Sequence, residues 1–509
     1  MLYCSLKGWT FILANDNFFR NSFILTASNI TTGLLGFAFS IYLSKILGAE
    51  GIGLYNLIMP IYNLFICLMT AGVVAALSKV SAVYYERRET NNLTKTINTV
   101  ALFNIIWALL IGVFVFFLAP LIGKYGVNDV RTINAIKVTC PAMVFISLSN
   151  ILKGYFLGVS KIKVPALVDI FEKGMRIITI TLLVYAFSTE NLTTLVTLAY
   201  VSLAIGELQS LILLFFYYRR CVSKLPRSSA PADGRAQLLF NVLVISLPLC
   251  INGFLNNIFS TLSTLIVPRR LIAAGFTYSE ALSLIGKYTG MAITLIGIPL
   301  IVVGSINSLL IPDLSQSLSR GDNYFASIRI RKVMKIAFLL GLSTTVICSL
   351  IPYELGNLFY GRDDLGGYIF MASLSAPIFF TSSTMFGILN GLNKQGIIVR
   401  NSLIIAFIDL ICLFIFTSIP SINIYGYSLT LFITSSICLL INLYEVKKEI
   451  NVDISLINVI IFILLSILTF LVLNIFIKKF LFPLGTAEIL LVVLITFLIF
   501  IYYSKFGET

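Results

Sequence analysis

The chain has 509 residues, 58% of them hydrophobic and 11% charged, and its mean hydropathy of +0.98 exceeds what a soluble domain carries. Its net charge of +14 is not gathered into a separate basic domain, which argues against a nucleic-acid-binding module. Histidine is absent, removing the commonest general base and metal ligand.

The first twenty-two residues hold a short apolar run, Phe11–Ala14, interrupted by Asn15 and Asp16. Without a basic lead-in, a long apolar stretch and a small-residue cleavage site, it reads as a cytoplasmic or interfacial segment and not a signal peptide. Six apolar stretches long enough to cross a bilayer follow, near 23–45, 53–77, 98–122, 134–157, 165–187 and 193–217. Residues 218–238 carry five basic residues with Pro, Ser and Gly and read as a flexible cytoplasmic linker. Six more stretches lie near 239–267, 282–311, 333–355, 366–392, 397–418 and 424–444, and a last pair near 455–477 and 484–503. A basic segment, Arg320–Lys335, joins spans eight and nine and is expected along the anionic inner leaflet.

The expected architecture is therefore an all-α polytopic membrane protein of about 14 transmembrane helices. It divides into two six-helix bundles (23–217 and 239–446), an additional helix pair (455–503) and a cytoplasmic tail (504–509). With both termini cytoplasmic, inner segments and adjoining span ends hold more than twice the Lys and Arg of outer ones. This places the chain in the cytoplasmic membrane with that orientation.

The two bundles echo one another. Gly53-Leu54-Tyr55 and Gly286-Lys287-Tyr288 stand 233 positions apart, and the same offset relates GYFLGVSK (154–161) to GILNGLNK (387–394). A repeat of this length in a membrane chain points to two related bundles around a transport path. The Gly-x-x-x-Gly spacing predicts close helix packing, and the lysine after it a tight cytoplasmic turn.

Ionisable groups inside spans are costly and so are functional candidates. Span five holds Asp169, Glu172, Lys173 and Arg176 on one helical face, with Glu172 and Arg176 at i, i+4. Glu207 of span six falls at the depth of Arg176 on an antiparallel neighbour. The expectation is an ion pair that either pins the two helices or serves a coupling or gating site. Asp409 stands alone in span eleven, as a cavity-facing group or a helix–helix hydrogen bond. Uncharged polar residues cluster in the first helix of each repeat: Asn29 and Thr32 in span one, Asn252, Asn256 and Ser260 in span seven. They are expected either to line a hydrophilic cavity or to bind helices together. Near the outer face, Lys45, Arg269 and Arg270 are placed to meet an anionic group.

No P-loop, histidine-based zinc motif, hydrolytic triad or aspartate-rich diphosphate motif is present, so no enzyme, no metal and no cofactor are expected beyond a coupling cation, sodium or proton.

LSKILGAEGIGLY (43–55), Pro60, TAG (70–72), EKGMR (172–176), Gly206-Glu207 and SEALSLIGKYTGMA (279–292) resemble the stage V sporulation protein B family. That family is a lipid-flippase branch of the multidrug/oligosaccharidyl-lipid/polysaccharide exporter superfamily. The resemblance implies alternating access and a polyprenyl-diphosphate-linked peptidoglycan precursor as cargo, for spore cortex. It implies membrane lipids and cell-wall synthesis machinery as partners, and no nucleic acid. A cation-coupled multidrug exporter and a membrane glycosyltransferase or polymerase are the alternatives. Relatives commonly carry arginines in span one where this chain has Gly33 and Ser40. In span seven an arginine and a glutamate are usual where Gly253 and Ser263 stand.

Overall fold

The computed structural model describes residues 2–70, 72–226, 233–319, 321–453, 455–481 and 485–505, with the side chains of 2–23, 319, 480 and 481 outside the description. The interfacial expectation for the first twenty-two residues rests on side chains outside it, as do the centre of the linker (227–232), Arg320 and the end of the tail (506–509). Among the described residues every regular element is helical, as an apolar chain must be when its backbone groups find no water.

Packing divides the chain into two compact units. The first contains residues up to Phe39 together with Leu57–Thr261, and the second contains Ser40–Asn56 and the chain from Leu262 onward. The first unit is built from most of α1 (Leu2–Thr70), α2 (Val73–Glu86), α3 (Thr90–Leu121), α4 (Ile133–Gly158), α5 (Lys163–Phe187), α6 (Leu192–Val222) and most of α7 (Arg235–Ala273). Its core, which includes Leu77, Leu93, Ile97, Ile151, Phe156, Leu214 and Leu238, is fully or almost fully buried. The second unit holds α8 (Tyr278–Ile285), α9 (Ile293–Ile296), α10 (Leu300–Ser319), α11 (Asn323–Leu350), α12 (Pro352–Tyr360), α13 (Gly366–Ser373), α14 (Ala376–Gly391), α15 (Gln395–Phe416) and α16 (Gly426–Glu449). The additional pair, α17 (Leu456–Phe476) and α18 (Thr486–Lys505), docks on α11 through Phe462 and Phe500 against Leu339, Leu342 and Val346.

Among the described residues ten helices are long and apolar enough to cross a membrane, or up to twelve when each of two bent pairs is taken as one span. Physical reasons account for the difference from about fourteen. Spans one and two are two helices that abut without a loop and so count together; they are separated at Gly48, whose φ of 66° and ψ of −174° is a conformation essentially reserved for glycine. Span five carries four charges. Spans eight and ten are broken, the first bending 53° between Tyr278–Ile296 and Leu300–Leu318, the second 56° before α14.

Two loop expectations change. The basic segment after Arg320 is continuous with span nine, because the Asp322 carboxylate accepts from the Phe325 N–H at 2.9 Å and starts α11 there. The described ends of the linker are tied down: Thr90 donates to the Pro226 carbonyl at 2.7 Å, and Asn92 accepts from the Asp233 N–H at 2.8 Å.

The glycine spacings are explained by equivalent contacts in the two repeats. A Cβ on Gly154 would fall 3.0 Å from the Val74 carbonyl oxygen, and one on Gly158 would fall 2.6 Å from that of Ser78. Shifted by the repeat offset, Gly387 lies against Asn307 and Gly391 against Ile311 and Leu314. The turns match as well, Ser160 and Asn393 having φ of 57° and 58°. Gly158→Val is expected to lower stability by about 1–3 kcal/mol, as overpacking does, measured by thermal unfolding in detergent.

Candidate functional site

A buried ion cluster lies in the first unit. Because α5 repeats every 3.6 residues, Glu172 and Arg176 fall on the face packed against α6, where Gly206 leaves room for the Glu172 carboxylate. Arg176 Nη2 donates to Glu172 Oε1 at 2.5 Å and to Glu207 Oε1 at 3.3 Å, so one guanidinium bridges two carboxylates from two helices. Their side chains are only 9%, 5% and 8% exposed. Lys173 holds the other oxygen of Glu172 at 3.0 Å, and Lys153 of α4 pairs with Asp169 at 2.7 Å. Three cations thus meet three carboxylates, so the group is self-neutralised and leaves no spare cation for an anion. The sequence reading brought Arg176 and Glu207 to one depth but missed Lys153, whose signal was a basic residue inside span four.

A second feature is the interruption of span two between α1 and α2. Carbonyls freed there are taken up by side chains, Asn104 donating to Met69 O at 2.9 Å and Trp107 to Leu68 O at 3.2 Å, while Asn150 donates to the Thr70 hydroxyl at 3.3 Å. At Gly72 (φ 77°) α7 comes so close that a Cβ would sit 2.6 Å from the Ser246 carbonyl oxygen. The equivalent span of the second repeat is the one bent before α10, so both repeats break their second helix. Irregular backbone at membrane depth is tolerated where it serves a path or is re-satisfied by neighbours. Sequence reading noted TAG at 70–72 only as part of a resemblance.

The polar residues of spans one and seven are mostly engaged with their own helices. Asn29 is exposed, and Thr32 donates to Ser28 O at 2.8 Å and Asn29 O at 3.1 Å. Asn256 donates to Asn252 O and Oδ1 at 3.0 and 3.1 Å. Ser260 is exposed, and Thr261 reaches Pro60 O at 3.2 Å, binding α7 to the second half of α1.

In the second unit, the hairpin 40–56 packs on the start of span eight, the second helix of the second repeat. A Cβ on Gly53 would strike the Leu282 carbonyl, and one on Gly286 the Ala49 carbonyl. These contacts are mirror copies: Ala49 and Leu282, like Gly53 and Gly286, are related by the repeat offset. Asn56 Nδ2 donates to Thr289 Oγ1 at 3.2 Å across the same 233 positions. Ser279 donates to the Glu50 carboxylate at 2.7 Å, and a π-helical turn over Gly286–Ala292 shapes the contact. Each partner therefore presents the same patch to the other, as at a two-fold interface.

Among the expected outer cations, Lys45 and Arg269 are exposed. Arg270 is occupied, donating to Phe414 O at 3.1 Å with its guanidinium 4.0 Å from the Phe414 ring centre. Asp409 accepts from Ser263 at 3.2 Å, a helix–helix hydrogen bond. Three outer-loop acids are also committed. Asp129 binds Arg131 at 2.8 Å, Glu280 closes a capping box with Thr277, and Asp364 binds Arg362 and Lys287 at 2.7 Å each. Hydrogen bonding to Asp364 holds Arg362 above its ordinary pKa.

The model of the polysaccharide biosynthesis protein family matches residues 18–318. The chain belongs to that family. It is 25% identical to stage V sporulation protein B of Bacillus subtilis (strain 168) over 450 residues, 87% of this chain and 86% of that one. It is 22% identical to the lipid II flippase MurJ of the same organism, over 74% of this chain and 73% of that one. Among solved structures, the inward closed conformation of lipid II flippase MurJ superposes with a TM-score of 0.70 at 17% identity, covering 95% of this chain and 98% of that one. An inward-facing multidrug resistance MATE family transporter of the MOP superfamily gives 0.63 at 15% identity, covering 82% and 95%. The fold is thus that of these all-helical multi-pass membrane transporters, and the sequence resemblance to the stage V sporulation protein B family is borne out by that match.

Proposed function

We propose that this family member is a flippase of the cytoplasmic membrane that carries a polyprenyl-diphosphate-linked cell-wall precursor to the outer leaflet. The observation that carries this reading is the self-matching contact between hairpin 40–56 and residues 279–292. An interface built from equivalent residues of two repeats is a gate that closes by symmetry and opens by separating them. The broken second helices supply the flexing elements. A sugar diphosphate cannot cross hydrocarbon unaided, since its polar groups lose their water. The polar first helices of the two repeats offer it a hydrated route while the prenyl tail stays in lipid. Both termini lie in the cytoplasm on this reading, as the Lys and Arg distribution supports. With no nucleotide motif, a cation gradient or the membrane potential drives the cycle, and Asp409 and the Arg176 cluster are the groups that would respond to it.

The engagement of Asp129, Glu280 and Asp364 in structural pairs weighs against those three outer-loop acids as groups of a glycosyltransferase. Proteoliposomes containing the purified chain and a fluorescent lipid-linked disaccharide diphosphate test the proposal. The fraction of probe accessible to an external quencher is expected to change faster than in protein-free vesicles, and equal rates would end the reading.

A further inference from the structure

The second unit has a cavity where the first has its ion cluster. It measures about 300 Å³ and is walled by α14, α15 and α16, with Phe379, Phe386, Ser402, Ile405, Thr434 and Cys438 among its lining residues. The repeat offset maps Lys153 onto Phe386, Asp169 onto Ser402 and Glu172 onto Ile405. The same offset carries Gly154 and Gly158 onto Gly387 and Gly391, whose packing matches, so the correspondence is structural as well as sequential. Long charged side chains fill the place in one repeat; in the other, shorter or uncharged ones leave it hollow. Asp409, the counterpart of Arg176, is bonded to Ser263 instead.

We propose that this cavity is a binding site for an uncharged, lipid-soluble alcohol. Its size, about ten times the ~30 Å³ that a liquid water molecule takes up, admits a chain of about ten heavy atoms and lies at the small end of ligand pockets. No charged side chain lines it, so a buried ammonium or carboxylate would go uncompensated. Four of the five hydroxyls in the wall already donate to carbonyls of their own helices, the fifth being Ser435. Ser382 and Ser383 donate to Phe379 O at 2.9 and 2.8 Å, Ser402 to Val399 O at 2.9 Å, and Thr434 to Thr430 O at 2.8 Å. Asn442 is paired at both ends, accepting from Asn401 at 2.8 Å and donating to Cys438 Sγ at 3.2 Å. What the wall offers is mainly lone pairs, with the Ser435 hydroxyl among them, on an apolar, aromatic surface, which suits a single hydroxyl, able both to donate and to accept, on a hydrocarbon body. Phe386, 59% exposed, brings the cavity to the surface of the unit.

Cys438 makes the native chain its own reporter. In detergent micelles, full-length protein is treated with methyl methanethiosulfonate and modification of each cysteine is followed by mass spectrometry, with 1-decanol, decylammonium or decanoate at equal concentration. Decanol is expected to slow Cys438 by about fivefold, as near-saturating occupancy requires, while leaving Cys412 of α15 unchanged. The charged analogues are expected to slow it by less than about twofold. Equal effects of all three compounds, no effect of decanol, or an unreactive Cys438 in ligand-free protein would each overturn the site.

Discussion

Arg176→Met is expected to destabilise the first unit by about 3–5 kcal/mol, because it takes the shared guanidinium from two buried carboxylates and strands one of them. Glu172 keeps Lys173 at 3.0 Å, but Glu207, 8% exposed, has only Arg176 among its described partners. Thermal or denaturant unfolding in detergent reads the loss. Replacing the whole bridge, Arg176→Met with Glu172→Leu and Glu207→Leu, is expected to return stability to within about 1 kcal/mol of the native chain, since no buried carboxylate is then left bare and Lys173, 33% exposed, can turn its ammonium to water. The pair of variants also separates two roles. If the bridge only pins α5 to α6, the stable triple variant transports normally. If it couples transport to a cation or to voltage, that variant folds and does not transport.

Membrane class and helix content were legible from composition alone, because no water-soluble fold carries a mean hydropathy of +0.98 over this length. The repeat was legible from two short blocks, each recurring at one offset. Its meaning was not. Period and spacing show that Gly53 and Gly286 are equivalent, but not that their surroundings touch, since self-contact depends on where the symmetry axis falls. The breaks in spans two and eight were also hidden: an apolar stretch interrupted by one glycine or proline scores like a continuous span. Lys153 was overlooked because a single lysine near a span end ordinarily snorkels to the interface, whereas here it is drawn to Asp169. The hollow in the second unit appears only when equivalent positions of the repeats are compared by volume, as at Lys153 and Phe386.

The Asn56→Cys/Thr289→Cys double variant is expected to lose transport when oxidised and regain it on reduction. The native side chains meet at 3.2 Å across equivalent positions, and two cysteines there replace a hydrogen bond with a covalent link. The neighbouring backbones are in contact at Gly53 and Leu282 and at Gly286 and Ala49, so the link asks for little movement in the closed arrangement. If the hairpin must leave residues 279–292 for the headgroup to reach the outer leaflet, the oxidised protein should move the fluorescent lipid no faster than protein-free vesicles. Dithiothreitol should restore the rate, and each single cysteine variant should be insensitive to oxidant. Formation of the link is verified by mass spectrometry of the cross-linked peptides. A fully cross-linked chain that still transports at the native rate would show that this contact stays shut throughout the cycle, and the gate would then have to be sought at the breaks in the second helices.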